Sequence, residues 1–306
     1  VISQINTNLR QMFSEPFELP ARTLVSGEKK LNLDRPRLIG ILNSTPDSFS
    51  DASRFFKLDD ALVQARKMID DGADWLDIGG ESSGPDSTNV PMDKELQRVI
   101  PLIQSIRKES DIWISVDTWK AEVARQSLEA GADAINDVTA FRGDSELAKV
   151  IANYQVPVVL MYSKNTTPRT TRQHSDYEDV LDTLKSFFRE RLQFAESKGV
   201  LKKQIVLDPG MGFFISGTAK YSFEVIRRIS ELHEFELPLL LGPSRKSFLA
   251  GVSKGRTLNF SERDIPGAVV SSIALWQGVS ILRFHEVDQG RLLIETIEAL
   301  KRDQVT

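Results

Sequence analysis

The stretch Val206-Leu207-Asp208-Pro209-Gly210-Met211-Gly212-Phe213-Phe214 carries the conflict on which the fold is read. Ile205 to Leu207 reads as a short buried strand, and Pro209-Gly210 stops it at once. Asp208 sits at that boundary, where a carboxylate has to be solvated or paired. The pattern recurs along the chain. Residues 37–43 (RLIGILN) end in Asn43, residues 74–80 (DWLDIGG) lead into Glu81, and residues 112–118 (IWISVDT) carry Asp117. Residues 132–138 (ADAINDV) carry Asn136 and Asp137, and residues 237–242 (LPLLLG) run into Ser244-Arg245-Lys246. Residues 279–285 (VSILRFH) close on Arg283 and His285. These are strands that deliver polar groups at one end.

Between them, apolar residues at spacings of three and four predict helices over 58–71, 94–108, 120–130, 145–153, 177–198, 218–232, 265–277 and 289–301. Residues 156–162 (VPVVLMY) add one more strand. Strand and helix repeated eight times predict an α/β fold of the (β/α)8 TIM barrel type, whose usual size is about 250 residues. Gly72-Ala73-Asp74 and Gly131-Ala132-Asp133 repeat where a helix gives way to a strand, with Gly278-Val279 as a partial echo. An open doubly wound sheet is the competing architecture. It prefers a glycine-rich turn after its first strand, and Asn43-Ser44-Thr45-Pro46 is not one. Barrel active sites lie at the carboxyl ends of the strands, so the polar ends are expected to converge on one mouth. Residues 22–35, turning at Ser26-Gly27, are expected to form a hairpin under the other end. Residues 1–20 are expected to be an N-terminal extension or linker, or the remnant of an upstream domain, and residues 21–306 the barrel domain.

The 306 residues carry a formal net charge of −4, with 27% charged and 41% hydrophobic residues. Those are the proportions of an ordinary globular domain, and they give no electrostatic reason to expect nucleic acid as a partner. No apolar run reaches about 18 residues, so no membrane span is expected and a cytoplasmic location is. With no cysteine, disulfides and thiolate ligands are excluded.

Asp117, Asn136, Asp208 and Lys246 offer the acceptors and donors that a flat, nitrogen-rich heterocycle needs. Asn43, Arg283 and His285 suit an anion accompanied by a metal, since Arg forks onto phosphate oxygens. Ser247 is expected to place its N–H at a helix N-terminus, a site for an anion or carboxylate. Each group alone has a plainer reading as a helix cap or an ion-pair partner. His174 and His233 read as surface residues. Residues 163–176, with Lys164, Arg169 and Arg172, read as a solvated loop or else a lid. The plainer readings do not predict polar groups at seven of eight strand ends.

Seven motifs resemble those of dihydropteroate synthase, in the family's order over about residues 31–288. They are Ile41-Leu-Asn-Ser-Thr-Pro-Asp-Ser-Phe-Ser-Asp51, Asp77-Ile-Gly-Gly-Glu-Ser82, Ser115-Val-Asp-Thr118, Ile135-Asn-Asp-Val138, Asp208-Pro-Gly210, Ser244-Arg-Lys-Ser-Phe248 and Arg283-Phe-His285. The resemblance implies a (β/α)8 barrel that joins 6-hydroxymethyl-7,8-dihydropterin pyrophosphate to p-aminobenzoate in folate synthesis. It implies that Asp117, Asn136, Met161, Asp208 and Lys246 hold the pterin. Asn43, Ser82, Arg283 and His285 would hold the pyrophosphate, with Mg²⁺ on Asn43. Ser83, Phe213, Phe214 and Ser247 would frame p-aminobenzoate. Asp208, Lys246 and Asp51 are the catalytic candidates, and the family is commonly a homodimer. The implied chemistry is dissociative: pyrophosphate leaves, and the aniline nitrogen attacks a cationic methylene on the pterin. Two other readings stay open, a pterin-binding methyltransferase on the same barrel and a catalytically silent pterin-binding relative.

The sequence also departs from the family. Glu81-Ser82-Ser83-Gly84-Pro85-Asp86 has Gly84 where the family usually carries a loop arginine, so an anion contact is lost. Met161-Tyr162 stands in place of Met-His, and Gly212-Phe213-Phe214-Ile215 in place of Gly-Phe-Gly-Lys. These loops resemble the sulfonamide-insensitive branch, which implies discrimination against sulfonamides larger than p-aminobenzoate. Neutral drift in the loops is the alternative.

Overall fold

Apolar runs bounded by Gly, Pro and acidic residues become strands in this protein, and the amphipathic stretches between them become helices. The computed structural model describes residues 22–43 and 58–301. A hairpin of β1 (Thr23–Ser26) and β2 (Lys29–Asn32) comes first. The alternating series follows: β3 (Arg37–Asn43), α1 (Leu58–Asp70), β4 (Trp75–Gly79), α2 (Met92–Arg107), β5 (Trp113–Asp117) and α3 (Ala121–Glu129). It continues with β6 (Ala134–Asp137), α4 (Leu147–Tyr154), β7 (Val158–Met161), α5 (Val180–Ser197), β8 (Ile205–Asp208) and α6 (Ala219–Arg228). It ends with β9 (Leu240–Leu241), α7 (Asp264–Trp276), β10 (Ile281–Phe284) and α8 (Val287–Lys301). Strands β3 to β10 form one eight-stranded sheet with parallel neighbours, and a bridge between Leu207 and Leu239 joins its two ends. The architecture is a (β/α)8 TIM barrel. Strand β9 is shorter than the apolar run around it because Pro238 and Pro243 have no N–H to give to a ladder.

Alternation along the strands separates two cores. Outward residues such as Leu38, Leu76, Ile114, Val158 and Leu207 pack under the helices. Each helix turns an apolar stripe inward, as with Ala61, Ala65 and Met68 of α1. Inward residues Ile39, Trp75, Trp113, Ala134, Val159, Val206, Leu240 and Ile281 fill the barrel. Leu24, Leu31 and Leu33 of the hairpin region join that inner cluster from below, so the hairpin closes the amino end as expected. The Trp75 and Trp113 rings sit 5.9 Å apart between centroids.

The Gly-Ala-Asp echo has a physical cause. Gly72 and Gly131 take left-handed φ values of 94° and 112°, which end α1 and α3. The acid two residues later then holds the neighbouring strand. Leu38 N donates to Asp74 Oδ2 at 3.0 Å, and Ile114 N donates to Asp133 Oδ2 at 2.9 Å. Asp74 also pairs with Arg37 and Arg291, and Asp133 with Lys29 and Arg107. The repeat is a strand-anchoring device on the face away from the polar strand ends.

Trp75→Ala should destabilise the fold by about 3–5 kcal/mol in urea denaturation, the range for removing a buried aromatic ring. A loss below about 1 kcal/mol would contradict a close-packed barrel interior.

Candidate active site

Two residues beyond the apolar inner level, the same inward face turns polar. Trp75 gives way to Asp77, Trp113 to Ser115, Ala134 to Asn136, Val206 to Asp208 and Ile281 to Arg283. Asp77 is the hub of this level and is 1% exposed. It accepts the Ser115 hydroxyl, Asn136 Nδ2 at 3.0 Å and Arg283 Nε at 2.6 Å. The other arm of Arg283, through Nη2, donates to Asp117 Oδ2 at 3.1 Å. Asp208 accepts Gly210 N at 2.8 Å. Lys246 Nζ lies 4.7 Å from the centre of the Phe214 ring. Ser83, Asp117, Asn136, Val138, Met161, Asp208, Met211, Phe214, Gly242, Lys246 and Arg283 line one pocket at the carboxyl ends of the strands.

The charges in that pocket perturb one another. Burial, reinforced by Asp77, pushes Asp117 up to about 7 against the pull of Arg283. Burial also pushes Asp208 up to about 6, while the Gly210 N–H and Lys246 oppose it. Lys246 falls to about 8 through burial and the neighbouring Arg283. His285 is held down to about 3 by burial and by Arg283, Arg245 and Lys246, so it is neutral at physiological pH. Its Nδ1 shares a 2.9 Å hydrogen bond with Ser244 Oγ. The two raised acids stabilise the fold fully below their unfolded value of 3.8, and lose that contribution as pH rises through about 6 and about 7. Lys246 loses its contribution as pH falls through about 8. Near neutrality all three are carried at a cost to stability.

Eight of the residues singled out from sequence meet at this pocket: Ser83, Asp117, Asn136, Met161, Asp208, Phe214, Lys246 and Arg283. Asn43 ends β3 in register with Gly79, and its Oδ1 lies over that glycine at the rim. Ser82 Oγ accepts Gly84 N at 3.2 Å, inside its own turn. Phe213 lies off the pocket wall, beneath the Arg172 guanidinium. Ser247 sits beside Gly212 and opens a 3-10 segment of five residues, Ser247–Gly251, too short for the helix-end field that the sequence suggested. Asp51 lies outside the described residues. Arg245 turns away from the pocket and forks onto Asp264 at 3.0 and 3.2 Å. His174 is exposed as expected, whereas His233 is half-buried, with Nε2 2.7 Å from the Gln277 carbonyl.

Sequence reasoning missed Asp77 as a site residue. The signal was present, since an acid two positions after an inward Trp must face the same interior. It also missed the cluster of Glu81, Glu95, Lys120 and Arg169 beside the mouth. No local spacing announces that cluster.

With this geometry in view, comparison with known proteins identifies the class. Residues 39–285 match the family model described as pterin binding enzyme. A dihydropteroate synthase of Synechocystis is 40% identical over 271 residues, covering 88% of this chain and 91% of that protein. The Escherichia coli K12 dihydropteroate synthase is 38% identical over 278 residues, with coverages of 90% and 93%. Among solved structures, a Xanthomonas albilineans dihydropteroate synthase with 4-aminobenzoic acid superposes with a TM-score of 0.84. It is 34% identical and is matched over 93% of this chain and 100% of its own. A Yersinia pestis dihydropteroate synthase in a sulfonamide drug complex gives a TM-score of 0.83 at 36% identity, over 91% and 98% of the two chains. The chain belongs to the pterin-binding enzymes and, within them, to the dihydropteroate synthase family, transferases of folate biosynthesis.

If Asp117, Asp208 and Lys246 hold a pterin, its affinity should be highest between about pH 7 and about pH 8. Below that window Asp117 and then Asp208 are protonated and no longer accept ring N–H groups as carboxylates; above it Lys246 loses the proton it donates. Calorimetric titration across the range would show this, and an affinity indifferent to pH would refute the assignment.

Proposed function

We propose that the pocket binds dihydropterin pyrophosphate and p-aminobenzoate and condenses them to dihydropteroate and pyrophosphate. The observation that carries this reading is the convergence of Asp117, Asn136, Asp208 and Lys246 with Arg283 at one barrel mouth. Two carboxylates accept from the amidine-like edge of a pterin, and Asn136 and Lys246 serve its carbonyl and ring nitrogens. Arg283, already paired to both Asp77 and Asp117, links the pterin floor to the rim. Asn43, Ser82 and His285 serve the pyrophosphate at that rim. A neutral His285 donates a hydrogen bond there without adding a competing charge.

Among the described residues no three His, Cys, Asp or Glu groups converge on a cation position. Asn43 Oδ1, an amide oxygen at the rim, is of the donor type that would hold Mg²⁺ there. When bound, Mg²⁺ supplies neutralisation of charge on the departing pyrophosphate. Asp208, on the pocket wall, stabilises electrostatically the positive charge that develops on the pterin methylene. Phe214 walls the p-aminobenzoate end, and its bulk favours p-aminobenzoate over larger sulfonamides.

The methyltransferase and silent-relative readings fall to one assay. Pyrophosphate release from the dihydropterin pyrophosphate should require p-aminobenzoate. Asp208→Asn should keep the parental thermal midpoint or exceed it, because it removes a buried charge, and should lose about 100-fold or more in kcat. Near-parental turnover in that variant would sink the role.

The homodimer belongs to the same proposal. Ile265 and Val269 on α7, and Leu292 and Leu300 on α8, are 79%, 55%, 65% and 62% exposed on neighbouring helices. Exposed apolar side chains on two adjacent helices suit a self-association surface. Sedimentation should give a dimer for the parent and a monomer for Val269→Glu. A parental monomer would refute the proposal. A cytoplasmic location completes it; among the described residues no helix is long and apolar enough to cross a membrane.

A further inference from the structure

Residues 163–176, which join β7 to α5, are tied to both walls of the pocket. On one side Thr170 N donates to the Ser83 carbonyl at 3.1 Å. Arg169 pairs with Glu81 and donates to the Thr88 carbonyl at 3.0 Å. On the other side Thr170 Oγ1 donates to the Phe213 carbonyl at 2.7 Å, and Lys164 N donates to the Phe214 carbonyl at 2.8 Å. Thr170 is 3% exposed, so its two bonds are shielded from water and are costly to break. The Glu81 end is itself held fast. Lys120 Nζ lies 2.6 Å from Glu81 Oε2 and also pairs with Glu95, which is fully buried. Beneath the segment, Gly217 N donates to the Gln173 carbonyl at 3.1 Å. A methyl group on Gly217 would collide with the Arg172 carbonyl, so the segment is seated as closely as the backbone allows.

A surface loop ordinarily bonds to itself and to water. This one joins Ser83 to Phe213 through the single buried residue Thr170, and holds Phe214 through Lys164 N. We infer that residues 163–176 are a strap that fixes the distance between those walls, and so sets the width and specificity of the p-aminobenzoate end. The inference rests on the reading of that end given under the proposed function. Arg169 is a positioning residue: its guanidinium reaches Glu81 and the backbone of the β4–α2 loop and acts through Ser83. That loop carries no cation of its own from Glu81 to Asp86, and its cationic support comes from another segment.

Arg169→Ala releases one side of the strap, and Gly217→Ala lifts it without altering any charge. Each should raise KM for p-aminobenzoate about tenfold, the scale of a small misplacement, while KM for the pterin pyrophosphate stays within about twofold. Sulfamethoxazole should inhibit both variants better relative to p-aminobenzoate, and Arg169→Lys should recover most of the parental KM. Unchanged KM for p-aminobenzoate in both variants would overturn the strap. So would a parallel loss of kcat, both KM values and thermal midpoint, which marks general damage. A parent that binds p-aminobenzoate by calorimetry but releases no pyrophosphate sinks the catalytic reading, and the variants' calorimetric affinities then judge the strap. A parent that binds none overturns both.

Discussion

One buried ion pair, Arg283 Nε on Asp77 Oδ2 at 2.6 Å, holds the mouth of this barrel together. Two charges taken out of water lose more solvation than their mutual attraction returns unless their remaining hydrogen-bonding capacity is filled. Here it is filled. Ser115 and Asn136 complete Asp77, and the second arm of Arg283 is satisfied by Asp117. The pair joins β4 to β10, two strands that do not touch, so it braces the barrel across its interior. Burial, reinforced by the neighbouring Asp77 charge, drives Asp117 upward, and the guanidinium it shares with Asp77 offsets this only in part. Burial, with that guanidinium adding to it, drives Lys246 and His285 downward. The perturbed groups of the mouth thus share one cause, charges crowded together out of water.

Those perturbations set a division of labour within the fold. The mouth carries charges that would be more stable in water, and ligands with complementary donors and acceptors relieve them. The compensating stability lies at the other end and on the outside of the barrel. Trp75, Trp113 and the hairpin leucines fill the lower interior. Asp74 and Asp133 tie helix ends to strand starts through backbone N–H groups and paired cations. Loops at the mouth can therefore vary without loss of the scaffold. Gly84, Tyr162 and Phe214 are among the residues at that end. Each lies on a loop or strand end at the carboxyl side, where a substitution reshapes the pocket and leaves the lower core intact.

Much of this architecture was legible in the chain itself. The alternation of apolar strands with amphipathic helices, the hairpin at Ser26-Gly27 and the polar residues at strand ends are local properties, and periodicity reports them directly. The repeat of Gly-Ala-Asp at two junctions also has a local cause, a left-handed glycine followed by an anchoring acid. Candidate groups such as Asp117, Asn136, Asp208 and Lys246 stood out because a polar side chain at the end of a buried strand needs a partner.

Which partner each one finds is a matter of closure and stagger. Arg283 meets Asp77 across 206 positions of sequence, and only the register of eight tilted strands brings the two to one level. Asp77 passed for part of a motif because its neighbours in sequence say nothing of a guanidinium from the last strand. Arg169 read as one more loop cation until the packed segment showed what it lies against, and Gly217 drew no reading at all. The sequence alone thus determined the elements, their order and the residues that face inward, since these depend on periods of two and 3.6. Tertiary structure alone decided the pairing of charges and the span of residues 163–176, since those depend on distances between segments that no local pattern encodes.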